Sequence, residues 1–149
     1  MPRPEFRNDG WLPEGHHRAT WEEIETVFGG ETGSRRNRII QQLLIWRNRL
    51  REKGITGLLV LNGSFISSKK EPGDFDAIFA YDEEAATIIA NDRQAFLLVD
   101  YTTCRNSMGC DLLAFPRIII GTSLFAPSLD AYDKEKVTGT YKGVLEVTI

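Results

Sequence analysis

Apolar residues in the first part of the chain recur at every third or fourth position, which is the spacing of a helix that buries one face. The longest such run lies between Ser34, a suitable N-cap, and Gly54, a suitable stop. Its apolar positions are Ile39, Ile40, Leu43, Leu44, Trp46 and Leu50. A shorter helix is predicted over residues 21–28, because Thr20 and Glu23 form the sequence of a capping box and Gly29 follows the run.

Short apolar runs predict strands in the rest of the chain. They cover residues 57–61 (GLLVL), 74–81 (DFDAIFAY), 110–115 (CDLLAF) and 142–149 (KGVLEVTI). Residues 82–91 predict a helix with Asp82 as its cap, whereas residues 96–100 (FLLVD) fit either a strand or a helix. Residues 65–70 fit either one helical turn or a loop.

This order of elements predicts an α+β fold, a small mixed sheet with helices packed on one side. The chain has 149 residues, of which 42% are hydrophobic and 26% charged, and these values suit one domain with a single core. We therefore expect a single domain over residues 1–149. Residues 1–20 are rich in Pro, Gly, Asn and His and are expected to form an irregular N-terminal arm.

The net charge of −3 indicates that the protein as a whole is not a basic nucleic-acid binder. Cations are instead concentrated on the helix predicted over residues 35–53, where Glu52 is the single acidic residue. The cations are Arg35, Arg36, Arg38, Arg47, Arg49, Arg51 and Lys53. This basic helix could contact RNA, DNA or an acidic protein surface, or it could present a solvated face.

The sequence also bears on the expected location of the protein. Its N-terminus has no apolar signal core, and no apolar run approaches the roughly 20 residues that a membrane span needs. Cys104 and Cys110 are too few for a disulfide framework or a four-ligand zinc site. We expect a cytoplasmic protein without a membrane partner.

One group of residues carries recognisable chemistry. Gly63 and Ser64 follow the first predicted strand, and Asp74 and Asp76 open the next strand with both carboxylates on one face. Gly63 would let the backbone approach a phosphate closely, and Ser64 offers a hydroxyl and an amide N–H to phosphate oxygens. Two neighbouring carboxylates repel each other unless a cation lies between them, and Mg²⁺ is usually held by one or two carboxylates plus substrate phosphates. The group predicts a site for Mg²⁺ (or Mn²⁺) and a nucleoside triphosphate.

Two lysines, Lys69 and Lys70, lie between the two halves of this group. Either could pair with triphosphate oxygens as a point charge, or both could belong to a solvated loop.

The order Gly-Ser, then Asp-x-Asp on the next strand, resembles the nucleotidyltransferase fold of the DNA polymerase beta superfamily. The residues that carry the resemblance are Gly63, Ser64, Asp74 and Asp76. The resemblance implies a third carboxylate on a later strand. Asp111, which lies at the start of the strand predicted over 110–115, is the favoured candidate, and Asp100 is the rival.

Residues 10–29 (GWLPEGHHRATWEEIETVFG) and 62–76 (NGSFISSKKEPGDFD) further resemble a group of small bacterial nucleotidyltransferase-like proteins. The resemblance implies transfer of a nucleoside monophosphate from a nucleoside triphosphate to a hydroxyl of a protein or RNA, in a toxin–antitoxin or phage-defence setting. Asp74, Asp76 and Asp111 would then hold the metal and carry catalysis. The alternatives are an inactive binding module or antitoxin that acts by covering a protein partner, and a small accessory nuclease.

Overall fold

The computed structural model describes residues 5–73, 75–119 and 143–149. The helices in these ranges are α1 (Trp21–Phe28), α2 (Arg35–Glu52), α3 (Glu83–Asn91), α4 (Arg93–Val99) and α5 (Tyr101–Met108). The strands are β1 (His16–Arg18), β2 (Gly57–Asn62), β3 (Asp76–Tyr81), β4 (Asp111–Pro116) and β5 (Val144–Thr148). Short 3₁₀ turns cover Ser64–Ile66 and Arg117–Ile119.

The strands form one open sheet in the order β1-β5-β2-β3-β4. Strand β2 is antiparallel to β3 and to β5, whereas β3 is parallel to β4 and β1 is parallel to β5. The β3–β4 connection carries helices α3, α4 and α5, as a parallel pair requires a crossover of this kind. The mixed sheet and its helices confirm the α+β prediction.

The helices pack on one face of the sheet. All of the described helices supply buried side chains to one apolar cluster, together with strand residues such as Leu59, Phe79 and Leu112. A smaller cluster of Val60, Ile78 and Val144 is separate from it. Because successive strand residues point to opposite faces, the smaller cluster lies on the face away from the helices. In the described part of the chain, no helix combines the length and the apolar character that crossing a membrane requires.

The two helices predicted from periodicity form as expected. At α1, the Thr20 hydroxyl accepts a hydrogen bond from the Glu23 amide (3.2 Å) and the Glu23 carboxylate accepts one from the Thr20 amide (3.1 Å), which completes the capping box. At α2, the Ser34 hydroxyl accepts from the Asn37 amide at 3.1 Å. These bonds satisfy amide groups that the helix itself leaves unpaired.

Residues 96–100, which fit either a strand or a helix, are helical up to Val99. Asp92 accepts from the amides of Gln94 and Ala95 and so starts α4, and Asp100 starts α5. Helix α5 has no predicted counterpart, because it has few apolar positions and depends on its cap and on one buried residue, Cys104. The strand predicted at residue 74 begins at Asp76, and the one predicted at 110 begins at Asp111. Position 142, the predicted start of the last strand, lies outside the described residues.

The prediction of an irregular arm over residues 1–20 is wrong for its last part. Strand β1 pairs in parallel with β5, with His16 opposite Val144 and Arg18 opposite Glu146. The His16 imidazole Nδ1 lies 2.5 Å from a carboxylate oxygen of Glu146. Leu12 is fully buried, so the arm also contributes to the core. A pairing partner so far along the chain leaves no local signal in the sequence of the arm.

One half-buried cation, Arg36 of α2, connects the loop after β2 to the helical layer. Its Nη1 donates to the carbonyl oxygens of Phe28 (3.3 Å) and Phe65 (2.5 Å). Its Nη2 donates to Ser67 (2.6 Å), and Nε donates to Lys69 (3.0 Å). The guanidinium also lies 5.8 Å from the centre of the Phe65 ring. Burial lowers the pKa of Arg36 below its ordinary value, yet an arginine stays protonated at physiological pH.

We predict that Arg36→Lys lowers the free energy of unfolding by about 3 kcal/mol, because one ammonium cannot reach these carbonyls and buried acceptors without partners are costly. Urea unfolding followed by circular dichroism measures the change. Arg38→Lys is the matched control, since Arg38 is exposed on the same helix, and it should change stability by less than about 0.5 kcal/mol. Equal effects of the two substitutions would contradict the role assigned to Arg36.

Candidate functional site

Two of the predicted carboxylates are direct neighbours in the sheet. Asp76 opens β3 and Asp111 opens β4, and the parallel register pairs the two residues with each other. Neighbouring strands lie about 4.8 Å apart, so the two side chains share one end of the sheet. The residues that follow them, Ala77 and Leu112, belong to the core on the helix side. Because strand residues alternate, Asp76 and Asp111 lie on the opposite face from Ala77 and Leu112, at an end of the sheet that helix α5 also reaches.

The Gly-Ser turn meets this pair from the other side of β3. Asn62, the last residue of β2, is opposite Asp76 in the antiparallel register, and Gly63 and Ser64 follow directly. Gly63 has φ 91° and ψ −175°, a conformation that is nearly exclusive to glycine. A Cβ on Gly63 would lie 3.5 Å from Asp76 Oδ2. The predicted proximity of Gly63 and Asp76 is therefore present, and Ser64 follows Gly63 directly in the chain.

Two further residues, Tyr101 and Arg105, hold the Asp111 carboxylate. The Tyr101 hydroxyl donates to Asp111 Oδ1 at 2.8 Å, and Arg105 Nη1 lies 3.5 Å from the same oxygen. The hydrogen bond to Asp111 and its negative charge raise the pKa of Tyr101, and the charge of Asp76 adds to this in the same direction. Tyr101 and Arg105 lie one turn apart on α5. The sequence pattern does not predict this helix, so neither residue was identified from the sequence.

Asp100, the alternative candidate for the third carboxylate of the site, has a structural role. Its Oδ2 accepts from the Thr103 amide (3.1 Å) and from the Thr103 hydroxyl (2.7 Å), which caps the N-terminus of α5. Asp111, by contrast, is in register with Asp76. The geometry favours Asp111 over Asp100 as the partner of Asp76. Asp74 lies outside the described residues.

The loop after the Gly-Ser turn forms one wall of a cavity of about 310 Å³ against the N-terminal arm. Ser64 and Lys69 line it together with Asp9, Gly10, Trp11, Ser67 and Ser68. The Ser68 amide donates to the Gly10 carbonyl at 2.9 Å, which fixes the arm to the loop. Lys69 thus shares a cavity with Ser64, whereas Lys70 is exposed and does not line it.

A cation at Asp76 and Asp111 would have oxygen ligands, the type that Mg²⁺ and Mn²⁺ prefer. Among residues 5–73, 75–119 and 143–149, no group of three or more histidines, cysteines or acidic residues could hold a metal ion. Two carboxylates nevertheless suffice for Mg²⁺ when phosphate oxygens and water complete the coordination. The pair therefore fits a metal that arrives with a phosphate ligand better than a resident structural metal.

The cations of the basic helix, α2, form two groups: those that contact other parts of the protein and those that are exposed. Arg36 binds the loop carbonyls, Arg35 donates to the Gly73 carbonyl (3.2 Å), and Lys53 pairs with Asp92 (2.8 Å). The Arg47 guanidinium lies 5.0 Å from the centre of the Trp21 ring. These four side chains stabilise the fold. The remaining cations, Arg38, Arg49 and Arg51, are exposed.

We predict that Gly63→Ala destabilises the protein by about 2 kcal/mol, because alanine is strained at this backbone conformation. Thermal unfolding measures the change. Gly73→Ala is the control: Gly73 has no positive φ, a Cβ there meets no atom within 4 Å, and stability should change by less than about 0.5 kcal/mol. A neutral Gly63→Ala would mean that the turn relaxes easily and does not depend on glycine at this position.

Comparison with known proteins places the chain in a family but leaves its activity open. Searches of curated proteins and of solved structures returned no match. Residues 4–148 match a family described as "Family of unknown function (DUF6932)". The match covers nearly the whole chain, including every residue of the candidate site. The protein therefore belongs to the DUF6932 family.

Proposed function

We propose that this protein is a Mg²⁺-dependent nucleotidyltransferase with a polymerase beta-like fold. The observation that carries the proposal is the pairing of Asp76 with Asp111 beside the Gly63-Ser64 turn. Two neighbouring carboxylates that could hold a cation, and a turn whose amide and hydroxyl groups could bind phosphate oxygens, lie at one end of the sheet. This combination suits a nucleoside triphosphate with bound Mg²⁺ better than it suits a free Mg²⁺ ion or a triphosphate without metal.

In the proposed reaction, a hydroxyl oxygen of a protein or RNA acceptor attacks the α-phosphorus of the triphosphate. The bond from the α-phosphorus to the bridging oxygen breaks, and pyrophosphate leaves with its electron pair. Asp76 and Asp111 would hold Mg²⁺ (or Mn²⁺), with Asp74 as the third carboxylate. The metal would supply charge stabilisation to the phosphates.

The other groups of the site have complementary tasks in this proposal. The Gly63 backbone and the Ser64 hydroxyl would bind the outer phosphates, and Lys69 on the same loop would add a positive charge. Asp111, which begins its strand next to Asp76, would also accept the proton of the attacking hydroxyl. The cytoplasm, with abundant nucleoside triphosphate and Mg²⁺, is the proposed location, and a toxin–antitoxin or phage-defence system is the proposed setting.

One observation favours a second candidate, an inactive binding module or antitoxin of the same fold. The Tyr101 hydroxyl and the Arg105 guanidinium both engage one oxygen of Asp111, where a metal would otherwise bind. If these contacts persist in the presence of metal, the chain would act by covering a protein partner.

We predict that Asp76→Asn and Asp111→Asn each weaken Mn²⁺ binding by more than about tenfold and abolish transfer of an α-phosphate label, because each removes a charged ligand. Isothermal titration and the labelling of acceptors measure the two effects. Asp100→Asn is the control, since asparagine also caps a helix and Asp100 lies outside the proposed pair. Labelling by Asp76→Asn at the wild-type level would reject the enzyme. Absence of metal-dependent triphosphate binding in the wild type would favour the binding module.

We also predict that Arg105→Gln tightens Mn²⁺ binding by up to about fivefold at low salt, because it removes a cation that competes for Asp111 and is worth about 1 kcal/mol at this separation in water. Arg93→Gln, an exposed arginine on α4, is the control and should leave the affinity unchanged. Titrations at low and high ionic strength measure the effect, which salt should reduce. Weaker binding in Arg105→Gln would show that Arg105 supports the metal site rather than competing with it.

A further inference from the structure

The Tyr101 hydroxyl is a nucleophilic group beside the carboxylate pair, and the proposed reaction does not use it. This hydroxyl donates to Asp111 Oδ1 at 2.8 Å, and Asp111 is in register with Asp76 on the neighbouring strand. Tyr101 is 47% exposed, so a ligand can reach its side chain from solvent. An accessible hydroxyl of the chain itself therefore lies next to the residues that would hold the metal.

Other hydroxyl groups of α5 are bonded within the helix. The Thr103 hydroxyl donates to the Asp100 carboxylate (2.7 Å), and the Ser107 hydroxyl donates to the Thr103 carbonyl (2.9 Å). Both bonds stay within α5 and its cap. The Tyr101 hydroxyl differs from them, because it donates across to β4 and so to the candidate site.

The Asp111 carboxylate has one oxygen for Tyr101 and another for a metal ion. The Tyr101 hydroxyl and Arg105 Nη1 both engage Oδ1. Among residues 5–73, 75–119 and 143–149, no group forms a hydrogen bond or ion pair with Oδ2. Each oxygen of an ionised carboxylate is an acceptor. Oδ2 is therefore available to Mg²⁺ while Oδ1 keeps its hydrogen bond with Tyr101.

The order of the strands places the Gly-Ser turn and Tyr101 on opposite sides of Asp76. Gly63 follows β2, which pairs with one edge of β3, whereas Asp111 lies on β4, which pairs with the other edge. In-line displacement at phosphorus requires the attacking and leaving oxygens on opposite sides of the phosphorus atom. With the outer phosphates at the turn and the α-phosphate at the metal, the leaving pyrophosphate and the Tyr101 oxygen would have this arrangement.

We propose that Tyr101 is a site of self-nucleotidylation, at which the chain transfers a nucleoside monophosphate from the bound triphosphate to its own side chain. The proposal rests on the proposed nucleotidyltransferase function and assigns an acceptor to it. The Tyr101 oxygen attacks the α-phosphorus, the bond from that phosphorus to the α,β-bridging oxygen breaks, and pyrophosphate leaves with the electron pair. The phenolic proton passes to the Asp111 carboxylate, to which it is already hydrogen-bonded, and a phosphodiester joins Tyr101 to the nucleoside.

The surroundings of Tyr101 also suit the product of this reaction. The new phosphodiester carries a negative charge, and Arg105 lies one turn further along α5, with Nη1 3.5 Å from the Asp111 oxygen that Tyr101 contacts. A guanidinium is well suited to phosphate oxygens. Modified Tyr101 has no proton to donate. Self-nucleotidylation would therefore replace the Tyr101–Asp111 hydrogen bond with a contact between the phosphodiester and Arg105.

Intact-mass spectrometry of the full chain tests the proposal after incubation with each ribonucleoside triphosphate in turn and Mg²⁺ or Mn²⁺. We expect a mass increase of one nucleotidyl group, which fragmentation locates on Tyr101. Tyr101→Phe keeps the ring, removes the hydroxyl and should abolish the increase. Tyr81→Phe is the matched control, because Tyr81 lies at the opposite end of β3 from Asp76, and it should label as the wild type does. An adduct on a different residue, or an undiminished increase in Tyr101→Phe, would overturn the proposal.

A mixing experiment tests whether the transfer occurs within one chain. Wild-type protein is incubated with a tagged Asp76→Asn chain, which keeps Tyr101 and Asp111 but lacks one proposed metal ligand. Transfer within the chain labels the wild type and leaves the tagged chain unlabelled. Label on Tyr101 of the tagged chain would show transfer between copies and would contradict the geometry proposed for a single chain.

Failure of this inference is distinguishable from failure of the proposed function. Calorimetry measures metal-dependent triphosphate binding by the wild type, and an α-phosphate label measures transfer to added protein or RNA. Triphosphate binding or transfer to an added acceptor, without an adduct on Tyr101, would overturn the self-nucleotidylation alone. Absence of triphosphate binding would overturn both proposals.

Discussion

The loop that follows the Gly-Ser turn is held by the half-buried guanidinium of a single arginine. Arg36 donates hydrogen bonds to carbonyl oxygens at the end of α1 and along the loop after β2, from Phe65 to Lys69. A loop lacks the regular hydrogen bonds that pair the carbonyl groups of a sheet. A buried carbonyl group without a hydrogen-bond partner destabilises the folded state. The planar fork of arginine solves this for several carbonyls at once. The loop that carries Ser64 and Lys69 is thereby held by the helical layer rather than by the sheet.

The candidate site arises where this loop meets the sheet. Register alone brings Asn62, Asp76 and Asp111 side by side on β2, β3 and β4. The two aspartates stand at the beginnings of their strands, where the ladder ends and side chains reach solvent. Tyr101 and Arg105 of α5 then hold the Asp111 carboxylate in place. Three layers of the chain, namely sheet, loop and helix, thus contribute to one small polar site.

Helix α2 packs in the core, binds the loop after β2 and also forms part of the protein surface. Its apolar face packs on the sheet through residues such as Leu43 and Leu50. Its first turn supplies the cations that bind the loop backbone, and its outer face exposes Arg38, Ile45 and Arg49 to solvent. The positive charge of this helix therefore has one part that binds other segments of the protein and another part that is exposed.

The sequence by itself determined those features that depend on neighbours along the chain. The capping box at Thr20, the cap at Ser34 and the apolar period of α2 are local, and they specify α1 and α2 almost to the residue. The apolar runs of β2, β3 and β4 likewise identified three strands, with errors confined to their first or last residues. The same local pattern placed Gly63 and Ser64 directly after a strand, and it started the next strand at position 74, two residues before its observed start at Asp76.

Only the tertiary structure decided which distant residues meet. The pairing of β1 with β5, the adjacency of Asp76 and Asp111, and the binding of the loop by Arg36 all join segments far apart along the chain. Residues 96–100 fit a strand and a helix equally well, and packing together with the caps at Asp92 and Asp100 selected the helix. Tyr101 and Arg105 both reach Asp111 only because residues 101–108 form a helix, in which side chains four residues apart lie within about 6 Å, whereas in a strand they would lie about 13 Å apart.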